Sequence, residues 1–169
     1  MRVFGLLAGL TFTLAACGQG STDEAAPALP TDPAVTAELR NIFDSHDTNQ
    51  DGAFTSDELD NFGGSVFAGM DVRRDGQIAP KEWRGYGFFE GVARENGRSD
   101  SYEEAKKRTF QRFDADGSGT LSPAELRAGV RGDFAEADRD GEGAGAISFE
   151  EFTTARLVRD MAWASAKPS

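Results

Sequence analysis

A chain of 169 residues, 38% hydrophobic and 28% charged, is sized for one compact domain or two small ones. Its formal net charge of -11 excludes a nucleic-acid binder, which needs a basic face to displace counterions. The acids stand in clusters at regular places, which points to cations as partners.

In chain order, Met1 and Arg2 open an uncharged apolar stretch, Val3 to Ala16, too short to span a bilayer and ending in small residues like a secretory leader. The single cysteine, Cys17, excludes an intramolecular disulfide. Leu14-Ala15-Ala16-Cys17 resembles the bacterial lipobox. That resemblance implies a lipoprotein signal peptide over 1–16, cleavage before Cys17 and acylation of Cys17, hence a membrane partner through the lipid. Gly18 after the cysteine implies a place in the cell envelope, at the outer membrane and facing the periplasm. Loss of residues 1–16 removes Arg2 and no other charge, leaving -12. Residues 17–33, small, polar and Pro-containing, read as the acylated Cys and a flexible tether with a reach of roughly 50 Å.

Beyond the tether the chain repeats. Acidic loops begin at Asp47, Asp71, Asp114 and Asp138, so two equal steps of 24 flank a step of 43 and divide the chain into halves, 34–97 and 98–169. Four residues ahead of each loop stands a Phe (Phe43, Phe67, Phe110, Phe134), one inward aromatic per entering helix. Pro33 opens the first helix, with Val35, Leu39 and Ile42/Phe43 on one face. Gly63-Gly64 is expected to split the next segment into two short helices. From Pro80 a longer amphipathic stretch carries Trp83, Tyr86, Phe89 and Val92 to Asn96-Gly97, a stripe that reads as core. Ser101 with Glu104 predicts a capping box, and Ser148 with Glu151 begins the last helix.

A hard cation such as calcium takes six to eight oxygens, which a short loop supplies if alternate residues point inward, the chain turns sharply midway and a bidentate Glu closes the shell. Loop 1, residues 47–58, meets every condition: Asp47, Asn49 and Asp51 at positions 1, 3 and 5, Gly52 at the turn, the Ala53 carbonyl, Thr55 acting through water, and Glu58 closing. Loop 3, residues 114–125, offers Asp114, Asp116, Ser118, the Thr120 carbonyl, Ser122 and Glu125. Loop 2, residues 71–82, keeps Asp71, Asp75, Gly76, the Gln77 carbonyl and Glu82. It places cationic Arg73 at position 3 and Ala79 at position 9, so it reads as a weak or non-binding hand. Loop 4 allows two registers. A start at Asp138, with Asp140 and Glu142 at positions 3 and 5, needs a two-residue insertion before Ile147 and Glu151; a start at Asp140 removes the insertion but puts Ala144 at position 5. The first is favoured because it keeps Phe134 in place.

These loops identify a resemblance, over residues 34–166, to EF-hand calcium-binding proteins, in particular small bacterial ones with closely spaced hands. It implies an all-α fold of two pairs of helix-loop-helix hands, short β bridges between paired loops, and Ca2+ as the bound ion. Position 8 of each loop is apolar, and the expected bridges join neighbours, Phe54 with Ile78 and Leu121 with Ile147.

Other chemistry is thin. His46, the only histidine, reads as a solvent-facing helix-end residue, and zinc sites want several His or Cys. One His and an acylated Cys make no nucleophile–base set, so no enzyme is expected. The glycines of 141–146 lack the Lys-Ser/Thr of a phosphate loop. The expected function is calcium binding by a membrane-anchored module with a low-affinity structural or buffering role. The alternative is a sensor that exposes an apolar groove to a protein partner.

Overall fold

The computed structural model describes residues 29–84, 87–139 and 146–168. The expected leader, Cys17 and most of the tether lie outside the described residues, as do Tyr86, Asp140, Glu142 and Ala144. The described chain is helical with one small sheet. Its elements are α1 (Pro33–His46), β1 (Ala53–Phe54), α2 (Ser56–Met70), α3 (Pro80–Arg84), α4 (Glu90–Glu95), α5 (Ser99–Phe113), α6 (Pro123–Ala135), β2 (Ile147–Ser148), α7 (Phe149–Thr154) and α8 (Arg156–Ser165).

Local chemistry sets the helix starts. Asp32 caps α1 by accepting from the Ala34 amide at 3.0 Å, and Pro33 fills the first turn, where no amide is needed. Val35, Leu39, Ile42 and Phe43 then fall on the buried face. Capping boxes open α2 (Thr55/Glu58), α6 (Ser122/Glu125) and α7 (Ser148/Glu151). The box expected at Ser101 does not form: α5 begins two residues earlier, at Ser99, and Ser101 lies inside its first turn. The stretch from Pro80 is not one continuous helix either, since α3 ends at Arg84 and α4 begins at Glu90.

Gly63-Gly64 does not break the chain. α2 runs through both glycines as one 15-residue helix, because its buried face (Leu59, Phe62, Val66, Met70) outweighs the conformational cost of two glycines. Its length decides the topology. At 1.5 Å per residue it holds loops 1 and 2 roughly 22 Å apart, and α6 separates loops 3 and 4 in the same way. Neighbouring loops therefore do not meet.

The expected bridges are accordingly exchanged. Phe54 pairs with Ile147 and Ala53 with Ser148 in an antiparallel sheet joining loops 1 and 4, while Ile78 and Leu121 form the bridge between loops 2 and 3. It follows that α2 and α6 pack antiparallel, tied by Arg131 Nε to Asp60 Oδ1 at 2.8 Å. The bridges thus cross between the halves 34–97 and 98–169, not within them.

One continuous core lies inside this frame. Phe43 stacks on Phe54 with ring centroids 4.6 Å apart, and Phe152 meets both edge-on. Trp83 and Phe89 are buried, as the stripe reading expected, and the Trp83 indole donates to the Lys106 carbonyl at 2.7 Å. Arg112 grips buried Asp133 with both arms of its guanidinium, Nη2 to Oδ2 at 2.9 Å. Burial still pushes the Asp133 carboxyl above the usual range. The described end of the expected tether is docked: Leu29 packs on the core, and Asp32 also accepts from Asn96 Nδ2 at 2.8 Å and the Lys167 amide at 3.1 Å.

Candidate metal centres

Each loop begins with the same backbone bond, although α6 ends at Ala135, two residues further from its Asp than α1, α2 and α5 do. The amides of Asp47, Asp71, Asp114 and Asp138 donate to the carbonyls of Phe43, Phe67, Phe110 and Phe134 at 2.9, 2.9, 2.9 and 3.0 Å. The fourth bond gives Asp138 the same relation to its Phe as Asp47, Asp71 and Asp114 have to theirs. Loops 1, 2 and 3 then share a backbone signature: positive φ at position 4 (Gln50 59°, Arg74 55°, Gly117 69°) and at position 6 (Gly52 86°, Gly76 79°, Gly119 81°). Glycine accepts the second turn freely; Gln50 and Arg74 take the first against their preference, so the loop closure itself imposes it.

The closing glutamates hold the loops together. In loop 1, Glu58 Oε1 accepts from the Thr48 amide and hydroxyl, both at 2.8 Å, and Oε2 accepts from the Thr55 amide at 3.0 Å and hydroxyl at 2.8 Å. These donors, the Thr55 amide foremost, hold the Glu58 carboxyl at about 2. In loop 3, Glu125 Oε1 accepts from the Ala115 amide at 3.1 Å and Oε2 from the Ser122 amide at 2.9 Å, which lowers its pKa likewise. In loop 4, Glu151 Oε1 accepts from the Arg139 amide at 2.9 Å and Oε2 from the Ser148 amide at 2.9 Å. Arg139 occupies the place of Thr48 and Ala115, so Glu151 closes the longer loop onto its second residue.

The remaining oxygens converge unequally. Asp47 turns its carboxylate inward, accepting from the Gly52 amide at 2.9 Å, and Asn49 Nδ2 donates to Asp51 Oδ2 at 2.9 Å. In loop 3, one carboxylate oxygen each from Asp114, Asp116 and Glu125 lies within 4.8 Å of the others. Asp114 Oδ1 is buried and accepts no hydrogen bond among the described residues. The Ser118 amide, foremost among several donors, lowers the Asp116 pKa, keeping that carboxylate charged. A cluster of three carboxylates, one of which has a buried oxygen without a donor, suits a hard cation with oxygen ligands.

Loop 2 departs from this pattern at its centre. Arg73 Nη2 lies 3.1 Å from both Glu82 Oε2 and Asp75 Oδ2, and the Arg73 amide donates to Glu82 Oε1 at 3.0 Å. The guanidinium holds the Glu82 carboxyl at about 2. The donor set of loop 2 does not fit a metal ion, because a side-chain cation already joins its carboxylates.

Three features escaped the sequence reading. Thr55 and Ser122 cap the exiting helix through the same glutamate that closes the loop, as expected for Ser148, and the Ser/Thr-x-x-Glu spacing could have signalled both. Thr48 adds a hydroxyl to Glu58, with no signal beyond its residue type. His46 is half-buried, not solvent-facing; its Nδ1 donates to the Ile42 carbonyl at 2.8 Å and its ring lies 5.0 Å from that of Phe62.

Comparison with known proteins agrees with this geometry. A family model described as EF hand matches residues 106–130, spanning loop 3. Calcium-binding protein LPS1-alpha of Lytechinus pictus is 32% identical over 150 residues, covering 78% of this chain and 44% of its own. Its LPS1-beta counterpart is 33% identical, covering 74% and 56%. The chain thus spans about half the length of these two relatives. The probable calcium-binding protein CML17 of Arabidopsis thaliana is 31% identical over 146 residues, covering 70% of this chain and 84% of its own.

Proposed function

The chain belongs to the EF-hand calcium-binding family, and from that premise we propose that it is a calcium-binding module held at a bacterial membrane, with calcium in loops 1, 3 and 4 and none in loop 2. The observation that carries this reading is loop 3, where three carboxylates converge and Asp114 Oδ1 is buried without a hydrogen-bond donor. Asp114, Asp116, Ser118, the Thr120 carbonyl and Glu125 would hold the ion there, with Ser122 at position 9. Asp47, Asn49, Asp51, the Ala53 carbonyl and Glu58 would do so in loop 1, with Thr55 at position 9. In loop 4, Asp138 and Glu151 are the described members of the set. The bound ion supplies charge that neutralises converging carboxylates and fixes the angle between the helices on either side.

The role that fits is structural or buffering. Extracellular modules of this family bind at about 10⁻⁴–10⁻³ M, where ambient calcium keeps them largely filled. Support for that setting comes from the leader-like residues 1–16 and the lipobox-like residues ending at Cys17. No helix among the described residues is long and apolar enough to cross a membrane. Cys17→Ser should move the protein from the membrane fraction into the soluble fraction; unchanged retention would refute the anchor. Calorimetric titration of residues 29–169 with calcium, and separately with magnesium, tests the binding. Heat and saturation with calcium are expected, and a flat calcium titration would overturn the reading.

One observation favours a second reading. An apolar cleft lined by Phe62, Val66, Met70, Trp83 and Met161 could open on calcium binding to receive a protein partner. A rise in binding of an apolar dye with calcium would favour it, and an unchanged signal would leave the structural role.

A further inference from the structure

We propose that Arg73 is a built-in cation that keeps loop 2 permanently in its loaded shape and thereby presets loop 3 for calcium. The inference rests on the reading that loop 3 binds calcium.

A metal ion in such a loop does two things: it neutralises carboxylates that would repel one another, and it draws the closing glutamate onto the front of the loop. Arg73 does both. Its Nη2 sits 3.1 Å from Asp75 at position 5 and 3.1 Å from Glu82 at position 12. The rest of loop 2 keeps the shape of the others. Asp71 accepts from the amides of Asp75 at 3.1 Å and Gly76 at 3.0 Å, and Arg74 and Gly76 take the same positive φ as their counterparts. The loop is therefore a complete hand whose cation is covalently attached.

Its shape reaches loop 3 directly. Ile78 and Leu121 exchange two backbone hydrogen bonds, at 2.8 and 2.9 Å, and both side chains are fully buried. Beside them, Thr120 Oγ1 donates to Gln77 Oε1 at 3.0 Å, so the two seventh positions are joined as well. Thr120 is the residue whose carbonyl would serve calcium in loop 3. A rigid loop 2 thus fixes one face of the loop 3 site before any ion arrives. Loops 1 and 4 share a bridge, but loop 1 carries no cationic side chain, and the cation of loop 4, Arg139, stands at position 2 and not at a ligand position. The consequence is asymmetric: the pair 2/3 binds one ion without cooperativity, and loss of the Arg73 charge weakens that site alone.

Trp83 follows Glu82 directly, and its ring lies 5.9 Å from that of Phe110 and 6.2 Å from that of Phe113, the aromatics that enter loop 3. In a Trp163→Phe background, Trp83 is the sole tryptophan and its fluorescence reports loop 3. Calcium titrations of the full chain should show Arg73→Met weakening this signal's midpoint by roughly fivefold. That is the low end of ordinary coupling between sites, because Arg73 is half-exposed. Arg73→Lys, which keeps the charge, should stay nearer the parent. Arg73→Asp, which supplies a ligand in place of the cation, should bind an additional ion and make the Trp83 transition cooperative. Unchanged affinity in Arg73→Met, or Arg73→Lys as weak as Arg73→Met, would overturn the inference. Circular dichroism of each variant separates these results from misfolding. Failure of the underlying reading looks different: the parent's Trp83 signal would ignore calcium, and Glu125→Gln would change nothing.

Discussion

The crossed pairing of loops can be tested by removing the side chains that meet across it. Phe54 and Ile147 are both buried, Phe54 stacked on Phe43 with centroids 4.6 Å apart, and they face each other across β1 and β2. Phe54→Ala should cost about 3–5 kcal/mol and Ile147→Ala about 2–5 kcal/mol, the usual range for cavities in a packed core. Because the two residues are partners, the double variant should lose about 0.5–3 kcal/mol less than the sum of the single losses. Ile78 sits at the far end of α2, roughly 22 Å away by helix length, so Phe54→Ala and Ile78→Ala should add to within about 0.5 kcal/mol. Urea unfolding in saturating calcium measures all three differences, with a constant dependence on denaturant as the check on two-state behaviour. Coupling between Phe54 and Ile78 with none between Phe54 and Ile147 would refute the arrangement and restore pairing between neighbours.

Other perturbations bear on the loops and the core. Glu58→Gln and Glu125→Gln should each remove about one bound calcium per chain by calorimetry, whereas Glu82→Gln should remove none, since Arg73 already holds that carboxylate. A Cβ on Gly129 would lie 2.3 Å from Cδ1 of buried Phe113; Gly129→Ala should therefore destabilise despite the better helix propensity, by about 1–2 kcal/mol in urea unfolding. The Glu58 carboxyl, held at about 2 against an ordinary 4.5, contributes stability that is full above pH 4.5 and is lost as pH falls toward 2. In chelator, the parent should lose stability through that window more steeply than Glu58→Gln, followed by acid titration of the helical signal.

What the sequence revealed and what it hid divide along a physical line. Ligand positions are a local code: Asp47, Asn49, Asp51, Gly52 and Glu58 each answer to their place in one loop, and the structure puts their backbone in the expected turn. Arg73 was visible as a misplaced cation, though its grip on Asp75 and Glu82 was not. Pairing is a long-range property, and Phe54, Ile78, Leu121 and Ile147 are too alike to say which meets which. The signal that could have decided it was the 24-residue step, which leaves about a dozen residues between loops 1 and 2, enough for one shared helix and no turn. Gly63-Gly64 masks this signal, because paired glycines read as a helix break. A Cβ on Gly63 would meet Arg127 Cγ at an ordinary 3.8 Å and one on Gly64 would meet nothing, so neither glycine marks a bend.

The two bridges also prescribe an order of assembly. Ile78–Leu121 lies inside Phe54–Ile147 along the chain, so the contacts are nested like successive teeth of a zipper. Closing the inner contact first shortens the outer loop from 93 residues to about fifty, which lowers its closure cost by roughly 0.6 kcal/mol before helix formation shortens it further. During synthesis, hand 1 is made first yet lacks its β partner until Ile147 has left the ribosome. The earliest loop to be made is thus the last to be locked, and no amino-terminal fragment ending before β2 contains a completed hand 1.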